Sequence, residues 1–383
     1  MKYLVLGGYG AMGKIIVKDL FKTTNDEIII AGRDLKEARN LAKSYKSKRV
    51  NAAYADVKDQ ESMIKIFRGS NVVIHAVHHE FNLNVMKACL KSRTHYIDLG
   101  GLYHYTKKQL KLNKQFKKAN LIAVLGIGAS PGITNVLARY ALRFLDKIEN
   151  IEIKIGYKDF STYRQVSPLS SSYSIQTILE LFSWRPTVFV NGKVKFVEPI
   201  SGREKYKFPE PIGLQKPQYT IHSEIATLPY TLKAKNVSFK IAFDEDFVDK
   251  IKTLSNLDFL SENKVLIMGK EFITKDISVE ILKRLPTSIP EKINEYEIIR
   301  VIVDGKRKGK KKRIILDAKI KGINETIDKD TGVPPSIVAQ MVAKGKIVHK
   351  GVFPPESIIP ENQFFKELAK RKIYIYKSNK RIN

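Results

Sequence analysis

The chain has 383 residues, 43% of them hydrophobic, with one cysteine and a formal net charge of +29. This length favours two cores over one, the lone Cys89 excludes an internal disulfide and a cysteine-rich zinc site, and no apolar run approaches the ~20 residues of a spanning helix. The charge raises nucleic acid as a partner, but the lysines are spread along the whole chain. The one dense run, Lys306 to Arg313, has the look of a hairpin tip between two strand-like stretches, so nucleic acid is disfavoured.

Lys2 to Leu6 is a short apolar run of strand length. It leads into Gly8-Tyr9-Gly10-Ala11-Met12-Gly13, a GxGxxG, and then KIIVKDLF, whose Ile15, Ile16 and Leu20 share one helical face. Strand, glycine turn and helix in that order predict a dinucleotide site. Gly8 permits the turn, Gly10 lets a pyrophosphate approach, and Gly13 lets the helix lie close on its strand. The helix N-terminus offers free N–H groups to phosphate.

Glu27 to Ala31 is the second strand. Where an acid commonly binds the ribose 2′-hydroxyl, the chain has Gly32-Arg33. Arginine suits a 2′-phosphate, so NADP is expected as cofactor, with NAD second. Asp34 serves either the cofactor or, with Glu37 three residues on, a capping box. Arg49 to Tyr54 is a third strand, followed by Asp56 and Val57 at an adenine-edge position. Asn71 to Ile74 is a fourth, running into His75-Ala76-Val77-His78-His79. These histidines leave a strand and carry no HExxH, so they read as cofactor-loop residues and no metal is expected. His95 to Leu99 is a fifth strand ending at Gly100-Gly101, Tyr105 to Ala119 a long helix, and Leu121 to Leu125 a sixth strand. Repeated βα units imply a doubly wound parallel sheet.

A second glycine turn, Gly126 to Asn135, opens the helix VLARYALRFL. Beyond Ile151 the pattern changes. Ile151 to Tyr157 alternates as a strand, Ser174 to Trp184 reads as a helix, and Asn191-Gly192 is a hairpin signal. A long hairpin spans residues 296 to 320. The fold class is thus α/β: an N-terminal Rossmann doubly wound parallel sheet plus a mixed, mostly antiparallel α+β domain. The expected division is 1–132, 133–330, and a segment 331–383 returning to the first domain. The open sheet predicts a homodimer. With no leader pattern the chain is expected in the cytoplasm.

The stretches Gly8–Gly13, Tyr96 to Gly101, Gly128 to Asn135, Thr331 to Pro335 and Gly351 to Glu356 together resemble the saccharopine dehydrogenase and reductase family, which includes lysine 6-dehydrogenase and carboxynorspermidine-type enzymes. The resemblance spans nearly the whole chain and implies an NAD(P) domain, a mixed α/β substrate and dimerisation domain, and C–N bond oxidoreduction on an amino-acid-like substrate. It also exposes two departures. Ser130 stands where the saccharopine-forming reductases carry an acid before the proline, and Gln176 where they carry a carboxylate-gripping arginine. A different or less charged substrate follows, with Arg164, Arg185 and Arg203 as alternative grips.

In the second half, Thr220 to Pro229 packs polar groups between apolar ones. Reduction of an imine needs a proton donor as well as a hydride. Imidazoles titrate near neutrality, so His222 is the candidate acid and Glu224 the group that orients it, against the alternative of a structural polar turn. The expected activity is an NADP-dependent oxidoreductase acting on an amine or imine. The alternatives are a cofactor-binding sensor without chemistry and a lysine 6-dehydrogenase-like enzyme.

Overall fold

A computed structural model describes residues 1–169 and 174–383. Its first sheet is parallel. Strands β1 (Lys2–Leu6), β2 (Glu27–Gly32), β3 (Val50–Tyr54), β4 (Val72–His75), β5 (His95–Asp98) and β6 (Ile122–Val124) lie in the spatial order 3-2-1-4-5-6. A seventh strand, Gly351–Phe353, comes from the far end of the chain and pairs with β6, also parallel. Successive residues of β1 face opposite sides, which is why the run reads as continuously apolar. Tyr3 and Val5 join Ile16, Val17 and Leu20 of helix α1 (Ala11–Thr23) in one core. Leu4 and Leu6 join Met63, Phe67 and Val85 in another on the opposite face. Burial on both faces is what a sheet of βα units requires.

The second sheet is large and mixed. Its strands run in the order Lys193–Phe196, Thr187–Val190, Asn236–Ile241, Lys147–Asp159, Asn294–Arg307, Lys310–Ile323, Ile373–Lys377 and Lys380–Arg381. One neighbouring pair, Asn236–Ile241 with Lys147–Asp159, is parallel. The pairs on either side are antiparallel. At the expected hairpin Asn191 and Gly192 both have positive φ, 50° and 79°, the geometry a two-residue turn needs to match strand twist. The tip of the long hairpin, Lys308-Gly309, is built the same way, with φ of 49° and 77°. The basic run therefore projects into solvent. Ile151, Ile153, Val237, Phe239, Ile299, Val301 and Leu316 turn to the core side, with Val136 and Leu137 of helix Ile133–Ala141 among the same buried residues.

Several elements differ from the sequence reading. The long helix expected over 105–119 is two, Tyr103–Leu110 and Asn113–Lys118. Asn113 stands at the break, and its side chain accepts from Val352 N at 2.9 Å, anchoring the seventh strand. Residues 245–282, unassigned by pattern, form helix Glu245–Asn256, hairpin strands Lys264–Ile267 and Lys270–Ile273, and helix Thr274–Leu282. Helix Lys329–Ala343 runs through Pro334 and Pro335. A Cβ on its Gly332 would fall 2.6 Å from Ile15 of α1, so tight packing of the two helices overrides the cost of the prolines. The tail also serves both sheets: Gly351–Phe353 extends the first, and Ile373–Lys377 returns to the second. Among the described residues, no helix is long and apolar enough to cross a membrane.

Candidate active site

The carboxyl edge of the parallel sheet is lined by the glycine turn. Gly7 has φ of +80°, and a Cβ there would meet Ala76 O and Val77 Cγ2, both at 2.8 Å. The loop after β4 thus closes directly on the turn after β1. A Cβ on Gly13 would lie 2.1 Å from Gly7 O, so α1 can reach this close only through glycine. Ala11 and Met12 fill its first turn, which carries no acid to offset the helix's positive end. The residues present therefore fit a dinucleotide pyrophosphate.

At the outer end, the Tyr9 ring covers Gly32, where a Cβ would meet Cε1 at 2.5 Å. Its hydroxyl accepts from Asp34 N at 2.9 Å. The Asp34 carboxylate accepts from Glu37 N, capping the next helix. Of the two roles open to it, the cap is the one its side chain performs here. Arg33 lies exposed at the end of β2. Ala55 N donates to Gly32 O, which brings Asp56 and Val57 beside that end. His75 differs from its neighbours. Its ring is buried beneath the sheet, 6.3 Å from Tyr96, and burial pushes its pKa down to about 3. It is a neutral core histidine at this rim, and only its backbone belongs to the loop.

Asp98 ties the inner end together. It is buried, and it accepts from Gly100 N, Gly126 N, Tyr96 Oη and Gln109 Nε2. A single carboxylate thereby holds both glycine turns. Pro131 is wedged between them, since a Cβ on Gly100 or Gly126 would meet its Cγ at 2.6 and 2.7 Å.

Next to Pro131 a polar network crosses between segments distant in sequence. Ser130 Oγ donates to Glu224 Oε1 at 2.7 Å, and Thr134 Oγ1 donates to the same oxygen at 2.8 Å. His222 Nδ1 lies 2.5 Å from Glu224 Oε2. The imidazole stacks on Phe239, centroids 3.8 Å apart and 13° from parallel. Glu224 is completely buried. Burial alone would raise its pKa, but His222, Ser130 and Thr134 together hold it below the usual carboxylate range. An ionised Glu224 accepts from Nδ1–H and so leaves Nε2 as the ring's proton-exchanging atom. Ser130 supplies no acid itself, yet a carboxylate is delivered to its hydroxyl by Glu224. A second buried acid, Glu356, accepts from Asn135 and Thr231 and extends the network behind the first.

The structure does not bring the other expected substrate residues to this network. Arg185 pairs with Glu198 at the surface, Arg164 with Glu291, and Arg203 with both oxygens of Glu245. Gln176 lies in the first turn of helix Ile175–Ser183, half-buried. Sequence reasoning passed over another member of that helix, Glu180. It is buried and faces His78 and His79 across the domain boundary. The available signal was an acid flanked by Leu179 and Leu181 on an otherwise apolar helix.

A doubly wound sheet with a glycine cradle at its carboxyl edge, capped by a mixed α/β domain that adds a buried polar network, defines a two-domain dinucleotide-binding oxidoreductase. The chain belongs to the saccharopine dehydrogenase family. Residues 3–124 match the saccharopine dehydrogenase NADP binding domain, and residues 128–373 match the saccharopine dehydrogenase C-terminal domain. Similar relatives include a carboxynorspermidine synthase from Vibrio alginolyticus, 22% identical over 92% of each chain. A carboxyaminopropylagmatine dehydrogenase from Synechocystis is also 22% identical, over 94% of each. Among solved structures, the apo saccharopine dehydrogenase (L-Glu forming) of Saccharomyces cerevisiae superposes with a TM-score of 0.73 at 17% identity, covering all of both chains.

Proposed function

We propose that this protein is an NADP-dependent oxidoreductase acting on the CH–NH group of an amino-acid-derived substrate. The observation that carries the reading is the Ser130–Glu224–His222 chain of contacts set against Pro131, which itself rests on the Gly100 turn. That position adjoins the carboxyl ends of β5 and β6, where doubly wound folds bind the reacting end of a ligand.

When bound, the cofactor supplies the hydride. The chain supplies the rest. The Gly8–Gly13 turn and the start of α1 hold the pyrophosphate, and exposed Arg33 meets a 2′-phosphate. Ala76, Val77, Gly100 and Gly101 form the floor near the nicotinamide. His222 Nε2 exchanges the proton on the substrate nitrogen, Glu224 fixes the imidazole through Nδ1, and Ser130 and Thr134 fix Glu224. The substrate is a secondary amine carrying a carboxylate, the class suggested by the names of the full-length relatives. The paired states of Arg164, Arg185 and Arg203 argue that its carboxylate is gripped elsewhere.

The test is oxidation of bound NADPH in a single turnover, followed on adding pairs of an amino-acid semialdehyde and a diamine. Oxidation with at least one pair is expected. No oxidation with any pair, despite tight NADPH binding, would favour a cofactor sensor. We also propose a homodimer, since hairpin 264–273 exposes Leu266, Ile267, Met268 and Phe272. An apolar cluster of this kind calls for a cover.

A further inference from the structure

His78 and His79 follow β4, and Glu180 sits on helix Ile175–Ser183 of the second domain. Glu180 Oε2 lies 3.5 Å from His78 Nε2 and 3.0 Å from His79 Nε2. One ligand atom from each residue falls within 4.8 Å of the others. We propose that these three side chains form a binding site for a divalent transition-metal cation of the zinc class, which clasps the cofactor loop to the second domain.

Two features of the geometry support the site. The first is spacing. Zn–N and Zn–O bonds are about 2.0–2.2 Å, so ligand atoms around a tetrahedral ion sit roughly 3.3 Å apart, close to the two separations measured. The second is satisfaction. His78 Nε2, His79 Nε2 and Glu180 Oε2 are all shielded from solvent, and none has an aligned hydrogen-bond partner. Buried polar atoms are rarely left so, and one cation would satisfy all three at once.

Two imidazoles and one carboxylate are a borderline donor set that selects zinc over magnesium or calcium. Three protein ligands leave a fourth position open. Glu80 Oε1 lies 3.6 Å from His78 Nδ1, and the same Nδ1 accepts from Glu80 N at 3.5 Å. The ring of His79 is also braced by Tyr105, centroids 4.8 Å apart. Its Cβ lies 3.6 Å from a Cβ built on Gly101, so the clasp abuts the loop at the carboxyl end of β5. The sequence reading assigned His75, His78 and His79 to the cofactor loop and expected no metal; in the folded chain His75 lies buried near Tyr96, and Glu180 faces the other two histidines.

The experiment is a calorimetric titration of chelator-stripped full-length protein with zinc chloride alone, repeated with cobalt and read by visible absorption. The wild type is expected to bind a single equivalent and to give the absorption of a nitrogen–oxygen tetrahedral cobalt site, bleached by zinc. Glu180→Gln and His79→Asn should each weaken zinc by more than the roughly 10–100-fold that outer-shell partners contribute. His78→Ala, at a less buried position, provides a third variant should either of those misfold by circular dichroism. The proposal is overturned if the wild type shows no saturable zinc binding. It is equally overturned if folded variants bind as tightly as the wild type, which would place the ion elsewhere.

Discussion

Ser130 Oγ and Glu224 Oε1, 94 residues apart in the chain, meet at 2.7 Å beside the second glycine turn. The contact joins the first domain's last loop to the middle of the second domain. It also restores a carboxylate to a place where Ser130 has none, and it fixes the orientation of His222 through the other oxygen.

If His222 exchanges the substrate proton, His222→Ala should lower kcat by roughly 10²–10⁴-fold, the scale of a general acid. Glu224→Gln should also lower kcat, since it removes the charge that orients the ring, while Ser130→Ala should act more mildly. NADPH affinity, measured by fluorescence, should barely change in all three. Unchanged turnover of His222→Ala on a verified substrate would remove the histidine from the mechanism.

Arg33 projects from the end of β2, with Asp34 held by its helix cap. Arg33→Ala should therefore weaken NADPH selectively, by about 1.5–3 kcal/mol for a charge-assisted contact. NADH binding should stay nearly constant. Equal losses for both cofactors in a titration would mean that Arg33 never meets the 2′-phosphate.

Asp19 on α1 accepts from Arg371 Nε at 2.7 Å and from Ser336 Oγ at 2.6 Å, and the Asp19 and Arg371 side chains are each 8% exposed. These bonds fasten the tail to the first helix. Asp19→Ala removes the guanidinium's Nε and Nη2 acceptors while Glu367 keeps Nη1 paired, and should cost about 1–3 kcal/mol. Asp19→Leu combined with Arg371→Met should recover much of that loss in urea unfolding. A single substitution costing under about 1 kcal/mol would show the pair to behave like a surface bridge.

Asp328, Asp330, Glu295 and Glu297 crowd the start of helix Lys329–Ala343. Burial, then Asp330 and Glu295, push Asp328 up to about 7. Burial and Asp330 push Glu297 up as well. The unfolded chain gives up the Asp328 proton near the ordinary 3.8, so between there and about 7 the folded state binds more protons. Stability contributed by the neutral group is then full at the acid end and is lost as pH rises through the folded pKa. Asp328→Asn should stabilise the protein at pH ~8 by about 1 kcal/mol or more and flatten its pH profile. Denaturant midpoints at pH ~5 and ~8 test this, and a variant less stable than the wild type at the higher pH would contradict it.

The exposed hairpin gives a further expectation. Sedimentation at micromolar concentration should show a dimer, and Met268→Asp with Leu266→Asp should shift it toward monomer, because two acidic tips repel and no longer bury an apolar surface. A wild-type monomer would oppose the proposed assembly.

Local chemistry made much of this protein legible before folding was considered. The glycine turn between β1 and α1 is set by short-range sterics, since Gly13 can lie 2.1 Å, measured from a built Cβ, from Gly7 O only without a side chain. Asn191-Gly192 and Lys308-Gly309 fix their hairpins by positive φ, again a local property. The alternation of strands and helices fixed the parallel sheet, because hydrophobic period reports which faces must be buried. Sequence could pair His222 with Glu224, two residues away, and could single out Ser130, but the contact of Ser130 with Glu224 depends on how two domains dock. Glu180 and His78 are likewise neighbours only because a helix of one domain packs on a loop of the other. The turn of His75 away from the rim follows from the phase of β4 in its sheet. Periodicity carries no information about pairings between distant segments, and those pairings decided which polar groups share a site.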